Sequence, residues 1–580
     1  MVKELKFFHK YLPITEWLPK YNWKTFKSDL PAGISVGIVL IPQGIAYAII
    51  ADIPPIYGLY TALIPQLIYA IFGTSRQLSV GPVAMDSLIV AAGVSAIATA
   101  GTENYILMAT LLAFMMGCIQ FLFGIFRLGF LVNFLSKPVI SGFTSAAAII
   151  IGLNQIQHLT GASIERSNKI QELILNIFDE FSTFNLMSVL IGSSALILIL
   201  FFHYKKIKFP SALIVVTVGI GIVYFFQLNN NGIKIVETIP SGLPSFKTPN
   251  INEVNVKQLG YLSLTLALIA FMEAISVAKA IEDKKRSSHV QPNQELVALG
   301  LSNIVGSFFQ TYPATGGFSR TAINEHAGAK TAMSSIISAV IIGITLLFFT
   351  DLFYYLPKTI LAAIIIGAVI RLVDFRYPTE LIRYKIDDFL MLILTFIVTL
   401  TVGISEGIII GVLISIIFLI FRSTKPHIAE CVQVDGSNQY RNKKRFENIN
   451  DRKDVLIFRF DGQLYFANSQ YFKDQLKLMR QNKGDELKYI ILNSECINHM
   501  DSSAINMLKQ TISELKEDNI KFIFSGTIGP VRDIIFKSKL IDVIDKKMMF
   551  SKVEKAMYFI DNEISLNENI DNNIATQVNN

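Results

Sequence analysis

The chain has 580 residues, of which 52% are hydrophobic and 17% charged, and its mean hydropathy is +0.46. Soluble domains carry about a quarter charged residues, so a wholly soluble protein is excluded and most of the chain must sit in lipid. The net charge of +7 is modest and confined largely to short loops, which marks membrane orientation rather than nucleic-acid binding.

The first 29 residues are basic and aromatic, with Lys3, Lys6, Lys10, Trp17, Lys20, Trp23, Lys24 and Lys27. They lack a separate short apolar region with a cleavage site, so no signal peptide is expected. They read either as a cytoplasmic segment at headgroup level or as an ordinary solvated leader. Apolar spans follow at 30–50, 57–72, 81–98, 105–126, 130–157, 185–203 and 210–227. After an Asn-rich outer loop (228–256) a second set runs 257–281, 290–309, 313–327, 331–350, 353–371, 386–402 and 405–422. With the N-terminus inside, loops after even-numbered spans must be basic. They hold Arg76; Arg127; Lys205, Lys206 and Lys208; Lys284, Lys285 and Arg286; Lys330; and Arg376, Arg383 and Lys385. Fourteen spans satisfy the rule, and the even number places both termini in the cytoplasm of a cell whose inner (plasma) membrane the chain crosses.

Apolar content stops near Phe421. Val455–Phe460, Tyr489–Leu492 and Lys521–Phe524 then read as strands, and Ser469–Met479, Ser502–Lys516 and Val531–Ser538 as amphipathic helices. That alternation indicates a small α/β domain. The expected organisation is a leader (1–29), an all-α polytopic membrane domain (30–422), an α/β domain (423–560) and a disordered tail (561–580), rich in Asn and weakly apolar. Cys118, Cys431 and Cys496 show no paired spacing, so no disulfide framework is expected.

Two spans are interrupted, and each is third in its set of seven. One begins TSRQLSVGPVAMDSL (74–88) and the other reads TYPATGGFSRTAIN (311–324). Each has an extended lead-in with Gly and Pro before a short helix. Paired broken segments in corresponding positions of two halves are the best sequence pointer to a transporter's substrate site. Because seven is odd, the second half is inverted, which aims the two short helices N-terminus to N-terminus near the midplane. Irregular backbone and an intramembrane arginine, Arg320, survive at that depth only when they line a cavity or are packed inside protein. Helix N-termini add unpaired N–H groups and partial positive charge. The site is therefore built for an anion.

At these residues the chain resembles the sulfate permease (SulP) family of anion transporters. The resemblance is carried by IPQGIAY (41–47), PPIYGLY (54–60), GTSRQLSVGPVA (73–84) and GGFSRTAIN (316–324). The soluble part, with HMDSSA (499–504) before a helix, is similar to a STAS domain. The resemblance implies a seven-plus-seven inverted repeat divided into core and gate subdomains, an elevator-like motion and a homodimer. It also places the anion beside Ser319 and Arg320.

Backbone N–H groups around Val83, Ala84, Phe318 and Ser319 are the expected directional donors, and Gln43 and Tyr47 candidate wall residues, with plain packing an equal role for Tyr47. Arg320 serves the anion, or is a structural arginine paired with Asp86, or both if the two compete. Glu273, deep in the eighth span, costs several kcal/mol there unless it is protonated or paired. Such a group suits proton coupling, and the resemblance places a coupling carboxylate at this position; the plainer role is a structural Glu bonded to Lys279 or nearby backbone. Sodium-coupled relatives tend to show Asp with a hydroxyl four positions on. Here Val277 takes that place, which weakens a sodium site, although Ser276 keeps one alive. Asp501, Ser502 and Ser503 suit helix N-capping, and in bacterial relatives the second serine is phosphorylated, which makes Ser503 a regulatory candidate. No P-loop, metal-ligand cluster or soluble Ser-His-Asp arrangement is present, so neither enzyme activity nor a cofactor is expected.

The expected function is secondary active transport of a small oxyanion, foremost proton-coupled sulfate symport. Alternatives are sodium-coupled bicarbonate or dicarboxylate transport, an uncoupled anion channel, and a membrane-anchored STAS signalling protein. Expected partners are the anion, the bilayer, a second copy of the chain and a cytoplasmic regulator of the STAS domain, with no nucleic acid.

Overall fold

The computed structural model describes residues 12–130, 136–205, 211–251, 253–285, 290–446 and 449–563. Lys3, Lys6, Lys10, Lys206, Lys208, Arg286 and the tail from 564 onward lie outside the described residues. The chain falls into two compact units, divided between Ser415 and Ile416.

A helix occupies each of the fourteen apolar segments. In the first half these are α1 (Trp23–Ile50), α2 (Pro55–Phe72), α3 (Ala84–Ser95), α4 (Glu103–Ile125), α5 (Lys137–Asn154), α6 (Leu186–Tyr204) and α7 (Ser211–Phe226). In the second they are α8 (Glu253–Lys285), α9 (Pro292–Ser307), α10 (Phe318–His326), α11 (Met333–Phe348), α12 (Lys358–Val369), α13 (Ile386–Thr401) and α14 (Ile404–Thr424). Among the described residues, five stretches are long and apolar enough to cross a bilayer: α1, α2, α4, Lys137–Thr160 and Asn255–Glu282. The shorter helices α6, α7, α13 and α14 turn large apolar side chains outward, including Leu190, Ile197, Phe225, Leu394 and Ile417. Water would not tolerate that surface, whereas lipid does.

Three boundaries differ from the sequence expectation. Helix α1 starts at Trp23, seven residues early, because the Asn22 side chain caps it by accepting from the Thr25 amide at 3.0 Å. Trp17, on the short helix Ile14–Trp17, is only 5% exposed and clusters with Ala70 and Ala332, so the leader is anchored here rather than merely solvated. Helices Ile170–Asp179 and Arg376–Tyr384 were not expected. Their apolar residues form one narrow stripe, which gives no continuous apolar run.

The membrane unit packs in two groups. Helices α1, α2, α4, α8, α9 and α11 pack on one another and enclose α3 and α10; α5 packs on α13, and α6 on α12. Small residues permit the close crossings, as is usual between membrane helices. A Cβ on Gly58 would lie 2.0 Å from the Gly44 carbonyl oxygen, and one on Gly300 would lie 2.5 Å from the Phe121 amide nitrogen. Buried carboxylates fasten two connections of the first group. Asp29, fully buried on α1, accepts from the Lys330 and Thr331 amides (2.7 and 3.2 Å) and the Thr331 hydroxyl (2.5 Å). Glu295 on α9 accepts from the Tyr69 hydroxyl (2.6 Å) and from the Thr74 and Ser75 amides (2.7 and 3.2 Å).

In the second unit the sheet comprises β3 (His427–Val434), β4 (Tyr440–Asn442), β5 (Ile449–Asn450), β6 (Val455–Asp461), β7 (Tyr489–Asn493), β8 (Lys521–Ser525) and β9 (Met549–Phe550). Its order is β4-β3-β6-β7-β8-β9, with β5 also on β3. The β6–β9 ladders are parallel and β3 runs antiparallel to β6. The crossover helices are α15 (Ser469–Lys483), α16 (Ser502–Glu517) and α17 (Gly529–Lys537). The parallel strands are apolar on both faces, as covered parallel sheets require. Asp501 caps α16 by accepting from the Ala504 amide at 2.8 Å, and Ser503 is exposed in that first turn.

Candidate functional site

The two interrupted segments meet. Their lead-ins form the strands β1 (Val80–Gly81) and β2 (Thr315–Gly316), paired antiparallel with Val80 opposite Gly316 and Gly81 opposite Thr315. The Gly317 amide donates to the Ser79 carbonyl at 3.0 Å, and the Ser79 amide donates to the Thr321 hydroxyl at 3.0 Å. Antiparallel strands lead α3 and α10 off in opposite senses, as the inverted repeat demands. Pro82 and Pro313 stand in the two lead-ins, and a proline cannot donate to a ladder. The ribbon accordingly stops after two residues per strand.

Neither helix start carries a side-chain cap. Val83 (φ −130°, ψ 145°) precedes α3 and Gly317 (φ −92°, ψ 130°) precedes α10. The first-turn N–H groups have no intrahelical partner, and they concentrate positive potential where the two chains cross. Val83 and Ala84 are buried, Ser319 is half-buried, and the Phe318 ring is exposed, so Phe318 can offer the site only its backbone.

Arg320, in the first turn of α10, is 2% exposed. Its Nη1 donates to the Pro82 carbonyl at 2.8 Å, tying one helix start to the other, while Nε and Nη2 have no hydrogen-bond partner. The expected pairing with Asp86 is absent: Asp86, fully buried in the first turn of α3, has no partner on either carboxylate oxygen. The guanidinium is held at its base and keeps donors for something else. Ionisable groups close enough to act on it electrostatically are Tyr47, Glu273 and Tyr312.

Glu273 on α8 leaves Oε2 buried and unpartnered. Lys279 is exposed, and no ion pair joins the two. Ser276 is half-buried one turn along, and Val277 is buried. On α1, Gln43 (4% exposed) also leaves its Oε1 unpartnered, and Tyr47 is buried one turn later. The structure thus brings Tyr47, Val83, Ala84, Glu273, Phe318, Ser319 and Arg320 to one crossing; Gln43 stands one turn before Tyr47 on α1, Ser276 one turn after Glu273 on α8, and Ser503 belongs to the other unit.

Sequence reasoning passed over a framework behind the crossing. The Asn303 amide clamps the second lead-in, donating to the Ala314 carbonyl (2.9 Å) and accepting from the Ala314 amide (2.8 Å). The Thr315 hydroxyl donates to the Ala270 carbonyl at 2.6 Å, which sets α8 and hence Glu273. The Tyr312 hydroxyl lies 3.2 Å from that of Ser87, joining the second lead-in to α3. A polar residue within the apolar run of α9 was the one signal for Asn303.

Gly317 shows how tight the fit is. A Cβ there would lie 2.7 Å from Arg320 Cζ and Nη2. Its φ of −92° suits alanine, so Gly317→Ala tests sterics alone. The clash is with the far end of a flexible side chain, so it is relieved by displacing the guanidinium rather than by straining the fold. Weaker anion uptake with an unshifted melting temperature is the expected result; unchanged uptake would show that the guanidinium need not sit where it does.

Residues 26–395 match the sulfate permease family and residues 448–556 the STAS domain. The chain is 38% identical to "Sulfate transporter 4.1, chloroplastic" of Arabidopsis thaliana, over 94% of this chain and 82% of that protein. It is 33% identical to "High affinity sulfate transporter 2" of Stylosanthes hamata, over 94% and 85%. Among solved structures it resembles the murine Solute Carrier 26 family member A9 anion transporter in the inward-facing state, with TM-score 0.88, 24% identity and coverage of 96% and 94%. The transmembrane domain of the cyanobacterial bicarbonate transporter BicA aligns with TM-score 0.59 and 21% identity, over 68% of this chain and 98% of that one.

Proposed function

Because the chain belongs to the sulfate permease family, a family of membrane anion transporters rather than enzymes, we propose that it is a proton-coupled sulfate symporter. The observation that carries this reading is the Arg320 guanidinium. It is buried at the meeting of two uncapped helix starts with two donor nitrogens unpartnered, and Glu273 nearby has a buried unpartnered oxygen. An oxyanion takes the free guanidinium face and the first-turn amides around Val83–Ala84 and Phe318–Ser319, with Gln43 and Tyr47 as walls. Glu273 carries the proton that offsets part of the anion's charge during crossing. The printed names of the relatives above support sulfate as the substrate.

Transport then follows by elevator-like movement of the first helical group, which holds the whole site, against the group around α5, α6, α12 and α13. In this reading the protein lies in the inner (plasma) membrane with both termini cytoplasmic, works as a homodimer, and receives regulatory input through the STAS domain, with Ser503 an exposed position for it. Half-buried Ser276 next to Glu273 favours one rival, sodium-coupled transport of bicarbonate or a dicarboxylate. Proteoliposomes with separately imposed gradients decide between them. An inward proton gradient is expected to drive labelled sulfate accumulation and a sodium gradient at equal pH to drive none. Sodium-driven accumulation, or accumulation of bicarbonate but not sulfate, overturns the proposal; dissipative flux alone would indicate a channel.

A further inference from the structure

Asp86 is fully buried on α3, and both its oxygens lack hydrogen-bond partners. Nothing in the function above uses it. The ionisable groups it interacts with are Glu273, on α8, and Tyr312. Helices α4 and α5 also pack against α3. Their titratable groups are Glu103, Tyr105, Cys118 and Lys137, and none of these acts on Asp86. From α1 and α10 the facing groups are Tyr47 and Arg320, which act on Tyr312 and on each other. Asp86, in the first turn of α3, and Glu273, on the α8 helix that packs against α3, therefore each carry an orphaned oxygen beside the crossing where Arg320 keeps free donors. An ionised carboxylate so enclosed is costly unless nearby positive charge offsets it.

Charge counting gives the arrangement a purpose. Arg320 contributes one positive charge and each helix N-terminus about half of one, roughly two in all. Two ionised carboxylates balance that sum when no anion is bound. A divalent anion balances it only if both carboxyls are neutral. We propose that Asp86 and Glu273 together form the coupling site, taking up two protons when a divalent oxyanion settles beside Arg320. Both protons enter with the anion from one side of the membrane and leave with it on the other, so charge and protons balance over the cycle. A monovalent anion needs only one. This rests on the proton-coupled reading above and adds Asp86 as its second carrier.

The test measures proton influx with an entrapped pH dye alongside labelled sulfate uptake in the same proteoliposomes. The wild-type chain is expected to move about two protons per sulfate, and Asp86→Asn about one. Asp86→Glu is expected to restore about two protons per sulfate. A second measurement, proton uptake on sulfate binding to the wild-type protein in detergent, is expected to give about two per anion and needs no variant. A wild-type ratio of zero sinks proton coupling itself. A wild-type ratio of one, or a ratio of two that Asp86→Asn leaves at two, sinks the dyad while leaving coupling through Glu273 standing. Sodium influx in place of protons overturns both.

Discussion

Arg320→Ala is expected to abolish measurable sulfate uptake, while the protein still inserts and purifies. Arg320 makes one hydrogen bond to the rest of the chain, from Nη1 to the Pro82 carbonyl. Two of its nitrogens are left over. Truncation therefore removes little that holds the fold and most of what can meet an anion. Losing a charge-assisted hydrogen bond costs about 1.5–3 kcal/mol, and a bidentate oxyanion contact involves two, so affinity falls roughly 100-fold or more. Arg320→Lys separates charge from shape. It keeps a positive group but loses the rigid planar fork, so weak transport with a raised half-saturation concentration is expected. Wild-type uptake by Arg320→Ala would remove the central element of the proposed function.

The second large effect is expected from Glu273→Gln, which should lose one coupled proton, and with it about tenfold of accumulation per pH unit, while retaining sulfate–sulfate exchange. Glutamine keeps the volume and the hydrogen-bonding atoms and cannot exchange a proton. For each coupled proton, one pH unit across the membrane is worth about 1.4 kcal/mol, or tenfold accumulation. In the wild type the protonated carboxyl is the loaded form, so uptake rises as external pH falls. In the variant that rise is shallower, because only the Asp86 proton still accompanies the anion. Ser276→Ala serves as the control, expected to leave the pH response intact because a serine hydroxyl carries no proton that titrates at these pH values. Undiminished proton-driven accumulation in Glu273→Gln would move the coupling role elsewhere, and loss of exchange would give Glu273 a part in holding the site together.

These expectations depend differently on sequence and structure. Chain topology was legible because membrane helices advertise themselves: apolar length, charged loops and the change of register after Phe421 leave few alternatives. The two broken segments were equally visible, since glycine, proline and arginine inside apolar runs have no other explanation in lipid. The starts of α1 and of the amphipathic helices were less so. A cap such as Asn22, or a single apolar stripe as in Arg376–Tyr384, is a local signal that hydropathy averages away.

By itself, then, the sequence determined that a cationic, irregular segment from each half lies buried in the bilayer, because every residue needed for that statement is close in the chain. It could not determine which buried groups face which. Arg320 engages Pro82 rather than Asp86, Asn303 clamps Ala314, and the α8 helix that bears Glu273 packs against the α3 helix that bears Asp86. Apart from the Asn303 clamp, within one half, those relations join residues well over a hundred positions apart, and they follow from how α1, α3, α8 and α10 pack. In a low-dielectric interior a displacement of a few ångströms turns an ion pair into two unpaired charges, so only the assembled helices decide which carboxyl answers the arginine and which are left for protons.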